Sequence, residues 1–117
     1  ELACAHVTDA DVRHLEKLLS RAVKGSRSFA AACLAVDQEL HRLVAARSCN
    51  PILAAEIRRF HDLVQLVRER VDAGTEPLEN ALAEHRAIVA ALAARDPATA
   101  RTAMTAHIRN SLEVALR

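Results

Sequence analysis

An aspartate and a histidine lie four residues apart in AVDQELHRLVAARSCNP, the segment spanning residues 35–51. Asp37 and His41 share one face if this segment is helical, because residues four apart stack one turn above the other. Leu40 and Val44 lie on the same side, which is therefore predicted to be buried. A carboxylate and an imidazole are costly in an apolar interior without a partner. A metal ion would be such a partner.

Two later histidines also interrupt apolar helical stripes. His85 and His107 lie eleven residues before and eleven residues after Asp96, where a turn is predicted. At a rise of ~1.5 Å per residue, both lie ~16 Å from that turn. Asp37 and His41 lie twelve and eight residues before the break that follows them, which brackets ~15 Å by the same rise. All four side chains can therefore meet in one layer of a helical bundle.

These four residues are the predicted metal ligands: Asp37, His41, His85 and His107. One carboxylate oxygen with three imidazole nitrogens suits a divalent ion, Zn²⁺ first and otherwise Ni²⁺, Mn²⁺ or Fe²⁺. The four ligands fill a tetrahedral site or leave two positions open on an octahedral one. Taken singly, each histidine is more often a hydrogen-bonded core residue, and Asp37 with His41 could be a helix pair worth ~0.3 kcal/mol. The joint pattern favours the metal.

Two further residues are predicted to contact a bound ligand. His61 lies at the level of the proposed site but flanks the apolar stripe of its helix rather than lying on it. Arg68 lies one turn beyond Val64 on that helix, and an inward arginine would pair well with a ligand carboxylate. The other histidines and nearby arginines are predicted to be solvated: His6, His14, Arg58, Arg59 and Arg70.

The composition predicts packed helices to carry these residues. Hydrophobic residues make up 51% of the 117, aromatic residues only 2%, and two glycines and three prolines interrupt the chain. Such a mixture favours helix over sheet. We predict one all-α domain over residues 1–117, an antiparallel bundle of about six helices with a central metal site.

Capping residues and breaks divide the chain. Thr8 with Asp11 has the pattern of a helix start, and Asn50 and Asp96 are caps followed by proline. The opening ELACAH is predicted to be helical. The next helix is predicted from Thr8 to Gly25, with Val12, Leu15, Leu19 and Val23 buried. A third is predicted from Ser26 or Ser28 to about Arg47, and a fourth from Pro51 to about Val71. After the loop DAGTEP, a fifth is predicted from Thr75 or Glu76 to Asp96, and the last from Pro97 almost to the end.

Charge, hydropathy and cysteine count narrow the function classes. The net charge of +1 does not demand nucleic acid or an acidic membrane as a partner of this segment. No apolar run approaches the ~18 residues of a membrane span, and no signal peptide is evident. Three cysteines without CxxC spacing are predicted to be small buried hydrophobic residues in a reducing cytoplasm.

Several stretches resemble the C-terminal ligand-binding (FCD) domain of GntR-superfamily transcription regulators of the FadR branch. VDQELHRLVAARSCNPIL resembles the family's D-x-x-x-H stretch and its asparagine-containing break. EHRAIVAALAARDPATA resembles the Glu-His helix with its Asp-led turn, and RTAMTAHIRNSL the closing helix with an inward histidine. ELACAHVTDADVRHLEKLL is similar to the end of the first helix and the start of the second.

The resemblance implies an all-helical bundle whose metal is held by Asp37, His41, His85 and His107, with a small organic acid bound beside or on the metal. It also implies a homodimer that binds operator DNA through an N-terminal winged helix-turn-helix domain, which this sequence does not include. One departure is Leu40, where the family usually has an aromatic residue.

Two other functions remain open from the sequence. A metal-dependent enzyme is disfavoured because Glu84, beside His85, would point about 100° away from it, and because Gln38 breaks the Glu-x-x-His motif of di-iron bundles. A purely structural dimerisation module would use the polar layer for specificity alone.

Overall fold

The computed structural model describes residues 1–69 and 74–116 and consists of helices joined by short turns. A 3₁₀ turn at Leu2–Ala5 precedes five α-helices. The helices are α1 (Asp9–Arg21), α2 (Phe29–Arg47), α3 (Pro51–Arg68), α4 (Glu76–Ala93) and α5 (Pro97–Ala115). The described residues contain no strand, so the all-α prediction is confirmed.

Three helix starts follow from the predicted caps. The Thr8 hydroxyl accepts from the Asp11 backbone N–H at 3.1 Å, and the Asp11 carboxylate accepts from the Thr8 N–H at 2.9 Å. Asn50 and Asp96 accept from backbone N–H groups three residues later, and a proline follows each of them. These bonds satisfy amide groups that the first helical turn leaves unpaired.

The start of the chain differs from the prediction. The segment expected to be helical makes only a 3₁₀ turn, with Cys4 N–H bonded to the Glu1 carbonyl at 3.1 Å. An α-helix cannot run on into α1, because Thr8 must be extended to cap it (φ −92°, ψ 163°). The described residues therefore form five α-helices, slightly fewer than the six expected.

The predicted end of α1 also differs from the structure. α1 ends at Arg21 instead of Gly25, because Ala22 leaves the helical region at φ −83° and ψ 83°. Val23, predicted to lie on the buried stripe, is consequently 57% exposed. The end predicted for α3, about Val71, and the first two residues of the predicted loop lie outside the described residues, while α4 begins at Glu76 within that loop.

Short turns fix the relative heights of the helices. Residues 48–50 join α2 to α3, and residues 94–96 join α4 to α5, so each pair is antiparallel. Cys49 and Arg95 take left-handed φ values of 53° and 54° within these turns. The Arg95 guanidinium bonds to the Val7 carbonyl and, at 2.9 Å, to the Asp9 carboxylate. The turn that sets the register of α4 and α5 is thus tied to the start of α1.

α2 is the central helix and packs against α1, α3 and α4. Leu15, Leu40, Ile88 and Val36 are among the fully buried side chains of the core, which α1, α2 and α4 form between them. α5 packs mainly against α4 and α3 lies across α2 and α5. The polar layer therefore lies where α2, α4 and α5 meet, with α3 along one side.

Two other sequence predictions concern cysteines and membranes. All three cysteines are free, and Cys4 and Cys33 are buried as predicted, whereas Cys49 is exposed because it lies in the α2–α3 turn. None of the helices in the described residues combines the length and apolarity that a membrane crossing requires.

Candidate metal centre

Four side chains from three helices converge in the bundle. Asp37 and His41 come from α2, His85 from α4 and His107 from α5. Each offers one ligand atom, and these four atoms all lie within 4.8 Å of one another. Asp37, His85 and His107 are buried and His41 is nearly so. The structure thus brings together all four residues that the sequence predicted as ligands.

The spacing of these atoms fits a coordination shell. The Nε2 atom of His107 lies 3.2 Å from Nε2 of His41 and 3.3 Å from Nε2 of His85. The Oδ1 atom of Asp37 lies 3.1 Å from Nε2 of His85 and 3.5 Å from Nε2 of His41. The other two pairs, Asp37 with His107 and His41 with His85, lie within 4.8 Å. Metal bonds of about 2.1 Å place neighbouring ligand atoms about 3.0 Å apart at octahedral angles and about 3.4 Å apart at tetrahedral angles. The residues present therefore fit a divalent ion of the first transition row.

Glu84 determines which nitrogen of His107 faces the other donors. The Nδ1 atom of His107 lies 2.8 Å from Oε2 of Glu84. A carboxylate only accepts hydrogen bonds, so Nδ1 carries the proton and Nε2 presents a lone pair. The Asn110 amide donates to the other oxygen of Glu84. This arrangement is the one that orients metal-binding histidines in proteins.

The Asp37 carboxylate is held on its far side by α3. His61 Nε2 lies 2.8 Å from Oδ2 of Asp37, and the Gln65 amide donates to the same oxygen. Oδ1 is left facing the histidines. His61, predicted from the sequence to touch a ligand, therefore contacts one of the predicted metal ligands directly.

His85 has no comparable support. Its Nδ1 atom is buried and has no hydrogen-bond partner in the described part of the chain. Its Nε2 atom faces Asp37 and His107. His85 is thus oriented by helix packing and by the cluster itself rather than by a second hydrogen bond.

Burial and hydrogen bonding set the charge state of the cluster. Burial lowers the pKa of His41, although Asp37 opposes this. Burial, with His85 close by, lowers the pKa of His107 to about 4. Burial would raise the pKa of Asp37, but hydrogen bonds from His41, His61 and His85 hold it well below its usual range. Ionised carboxylate and neutral imidazole are the forms that bind metal.

A cavity of about 400 Å³ adjoins the cluster between α2, α3 and α5. Both residues predicted to contact an effector, His61 and Arg68, line it. The Arg68 guanidinium donates to the Ser111 hydroxyl at 3.0 Å, and no carboxylate of the described residues forms an ion pair with it. The other lining residues are Asp37, His41 and His107 of the cluster, the partly exposed Glu56, and the apolar Val44, Leu53, Ile57, Phe60, Val64, Met104 and Ile108.

Sequence reasoning missed Glu84 and Gln65 as supports of the cluster. Glu84 was set aside because it points away from His85, yet it reaches across to His107 on α5. Gln65 could have been found from its position, since it lies one turn after His61 on the same face of α3. The residues predicted to be solvated are exposed, except that Arg70 lies outside the described residues.

A family model described as the FCD domain matches residues 1–110 of the chain. No curated protein and no solved structure matches it. The family match covers all four members of the cluster and their supporting residues on α3, α4 and α5.

Proposed function

The chain belongs to the FCD domain family, the C-terminal domains of GntR-family regulators, and from this premise we propose that it senses a small organic acid through a bound divalent metal ion. FCD domains are ligand-sensing parts of transcription regulators, which are generally not enzymes. The resemblance found in the sequence motifs is confirmed by the family match.

The observation that carries the proposal is the convergence of four donor atoms at coordination spacing. Oδ1 of Asp37 and the Nε2 atoms of His41, His85 and His107 are 3.1 to 3.5 Å apart in four of their six pairs and within 4.8 Å in the other two. Three nitrogens and one oxygen favour Zn²⁺, and Ni²⁺, Mn²⁺ and Fe²⁺ accept the same donors.

The residues around the cluster would orient its ligands and bind the acid. A metal bound in an octahedral shell by these four residues would leave two positions for a ligand carboxylate, whereas a tetrahedral shell would be full. Glu84 fixes the orientation of His107, while His61 and Gln65 leave Oδ1 of Asp37 free to face the metal. Arg68, held by Ser111, offers a second positive group in the adjoining cavity. A carboxylate in the cavity would therefore meet two cationic partners.

The regulatory step of the proposal depends on differential binding. FCD domains typically act with a DNA-binding domain, and we propose that this one acts in a homodimer joined to a winged helix-turn-helix domain. An acid that binds one arrangement of the bundle more tightly shifts the population toward it. The free energy that couples acid binding to operator binding can be no larger than the difference in binding free energy of the acid for the two arrangements.

The proposal is tested by titrating a panel of organic acids into the Zn²⁺-loaded chain and the EDTA-treated chain. We expect saturable heat with at least one acid in the loaded protein and none after chelation. Full thermal stability after exhaustive chelation, with no binding of any acid in either form, would leave only a structural module. Chemical turnover of an acid by the loaded protein would instead support an enzyme.

A further inference from the structure

The cavity beside the cluster has one polar end and one apolar end. Along α5 the lining residues run from Met104 through His107 to Ser111. Along α3 they run from Leu53 through His61 to Arg68. Because Arg68 bonds to Ser111, both helices cross the cavity in the same direction. Arg68 therefore lies at one end of the cavity and the candidate metal ligands lie near its middle. The other end, lined on α3 by residues that precede His61, is mainly apolar.

The charges are distributed in the same unequal way. Arg68 is the only lysine or arginine among the described residues that line this cavity. No lysine or arginine lines the apolar end among the described residues, and Glu56 at its rim is 66% exposed and lies 3.9 Å from the Arg59 guanidinium. A ligand carboxylate is favoured beside Arg68 and the metal. A second carboxylate at the far end would lie against apolar side chains without a cationic lining residue to pair with.

The apolar region has a definite length. Leu53 lies eight residues before His61 on α3, which corresponds to about 12 Å of helix. An extended hydrocarbon chain advances about 1.25 Å per carbon at ordinary bond lengths and angles. A body of up to about nine carbons would therefore span the region, and the cavity volume of about 400 Å³ leaves room for it.

We propose that the effector is an apolar monocarboxylate with a body of about six to nine carbon atoms, aliphatic or aromatic. Its carboxylate lies between the metal and Arg68, and its body lies along Leu53 and Phe60 toward Met104. This inference rests on the proposed function, which it narrows from organic acids in general to one chemical class.

The test is calorimetric titration of three probes into the Zn²⁺-loaded chain: butanoate, octanoate and suberate, the eight-carbon dicarboxylate. From butanoate to octanoate we expect Kd to fall about fourfold for each added methylene that is buried. Suberate, with its second carboxylate at the apolar end, is expected to bind roughly tenfold more weakly than octanoate or worse. Equal affinity for all three, or tighter binding of suberate, would overturn the inference.

A pair of matched variants examines the apolar end directly. Leu53 lines the cavity and is 39% exposed, whereas its neighbour Ile52 is 80% exposed and does not line it. Leu53→Lys should raise the affinity for suberate relative to that for octanoate by roughly tenfold, because the new ammonium group can pair with the distal carboxylate. Ile52→Lys should leave this ratio of affinities unchanged. A similar change in both variants, or in neither, would contradict the assigned orientation.

The arginine is tested with a second pair. Arg68→Gln should weaken the binding of octanoate by at least about tenfold, because a charge-assisted hydrogen bond to its carboxylate is lost. Arg13→Gln, at an exposed position on α1 outside the cavity, should leave octanoate affinity unchanged. Undiminished octanoate affinity in Arg68→Gln would place the carboxylate elsewhere.

The outcomes separate this inference from the proposed function. Binding of succinate or another short dicarboxylate in place of octanoate overturns the apolar class and keeps metal-dependent acid sensing. Octanoate binding to a protein that retains no metal keeps the apolar class and overturns the role of the metal. No binding of any acid to the loaded chain overturns both.

Discussion

The Nδ1 atom of His107 lies 2.8 Å from Oε2 of Glu84, and this contact turns the opposite nitrogen of the ring toward the three other donors. The two residues belong to different helices, α5 and α4. The orientation of a proposed metal ligand is therefore set by a residue that is not itself in the cluster.

Removing this support should weaken metal binding without unfolding the chain. Glu84→Ala is expected to reduce metal affinity about 10- to 100-fold, as removal of a carboxylate that orients a histidine ligand typically does. Competition titration with a chromophoric chelator measures the change. Glu16→Ala, at an exposed site on α1, is the control and should retain wild-type affinity. Equal affinities in both variants would show that Glu84 does not support the site.

The metal-free protein should lose stability as the pH falls below about 6.5. The pKa of His107 is lowered to about 4 in the folded state, while an unfolded histidine titrates near 6.5. Between these values the unfolded chain binds a proton that the folded chain does not. Stability is therefore present above the unfolded pKa and is lost toward pH 4, by about 1 kcal/mol per pH unit for one such group.

Urea unfolding of the EDTA-treated protein at pH 7.5, 5.5 and 4.5 measures this slope. His107→Gln should flatten it, whereas His14→Gln, at an exposed position, should not. If His107→Gln kept the full slope, the buried imidazole would not be its source.

A second ionic contact stabilises the fold away from the cluster. Asp11 accepts two hydrogen bonds from the Arg47 guanidinium, at 2.7 and 3.1 Å, which joins the start of α1 to the end of α2. Arg47 and the Thr8 cap lower the pKa of Asp11 to about 2. The contribution is present above the ordinary carboxyl pKa of about 3.9 and is lost as the pH falls through about 2.

Asp11→Ala should therefore lower the free energy of unfolding at pH 7 by about 1 to 2 kcal/mol, the usual effect of losing such a cap. Chemical denaturation measures the loss, and chelator competition should show unchanged metal affinity. A large change in metal affinity would mean that the capping box also shapes the cluster.

Two fully buried leucines separate core packing from support of the site. Leu15 lies on α1 and Leu40 lies on α2, next to His41, and both are 0% exposed. Leu15→Ala and Leu40→Ala should each cost about 2 to 5 kcal/mol of stability, because each leaves a cavity. Only Leu40→Ala should also weaken metal binding, since it loosens the helix turn that positions His41. The same metal affinity in both variants would contradict this assignment.

Capping and register made much of this fold predictable from sequence. Asn50 and Asp96 mark their helix starts, because each pairs a capping side chain with a following proline. Equal sequence distances from the Asp96 turn placed His85 and His107 at one height. That reasoning needed only the rise of an α-helix, and the structure brings the two Nε2 atoms to 3.3 Å.

Other features depend on tertiary contacts that periodicity does not report. The Leu2–Ala5 segment has helical composition, but capping of α1 by Thr8 restricts it to a 3₁₀ turn. Glu84 acts through a side chain long enough to cross to another helix. Leu53 of α3 is 39% exposed because it borders a cavity rather than the core.

Elemental analysis of the purified chain, with thermal unfolding of the same samples, tests the metal centre most directly. We expect about one divalent ion per wild-type chain, as one set of four ligands implies, and the same in His14→Ala. His85→Ala and His107→Ala should each lower both the metal content and the Tm. Undiminished stoichiometric metal in both of those variants would contradict the account.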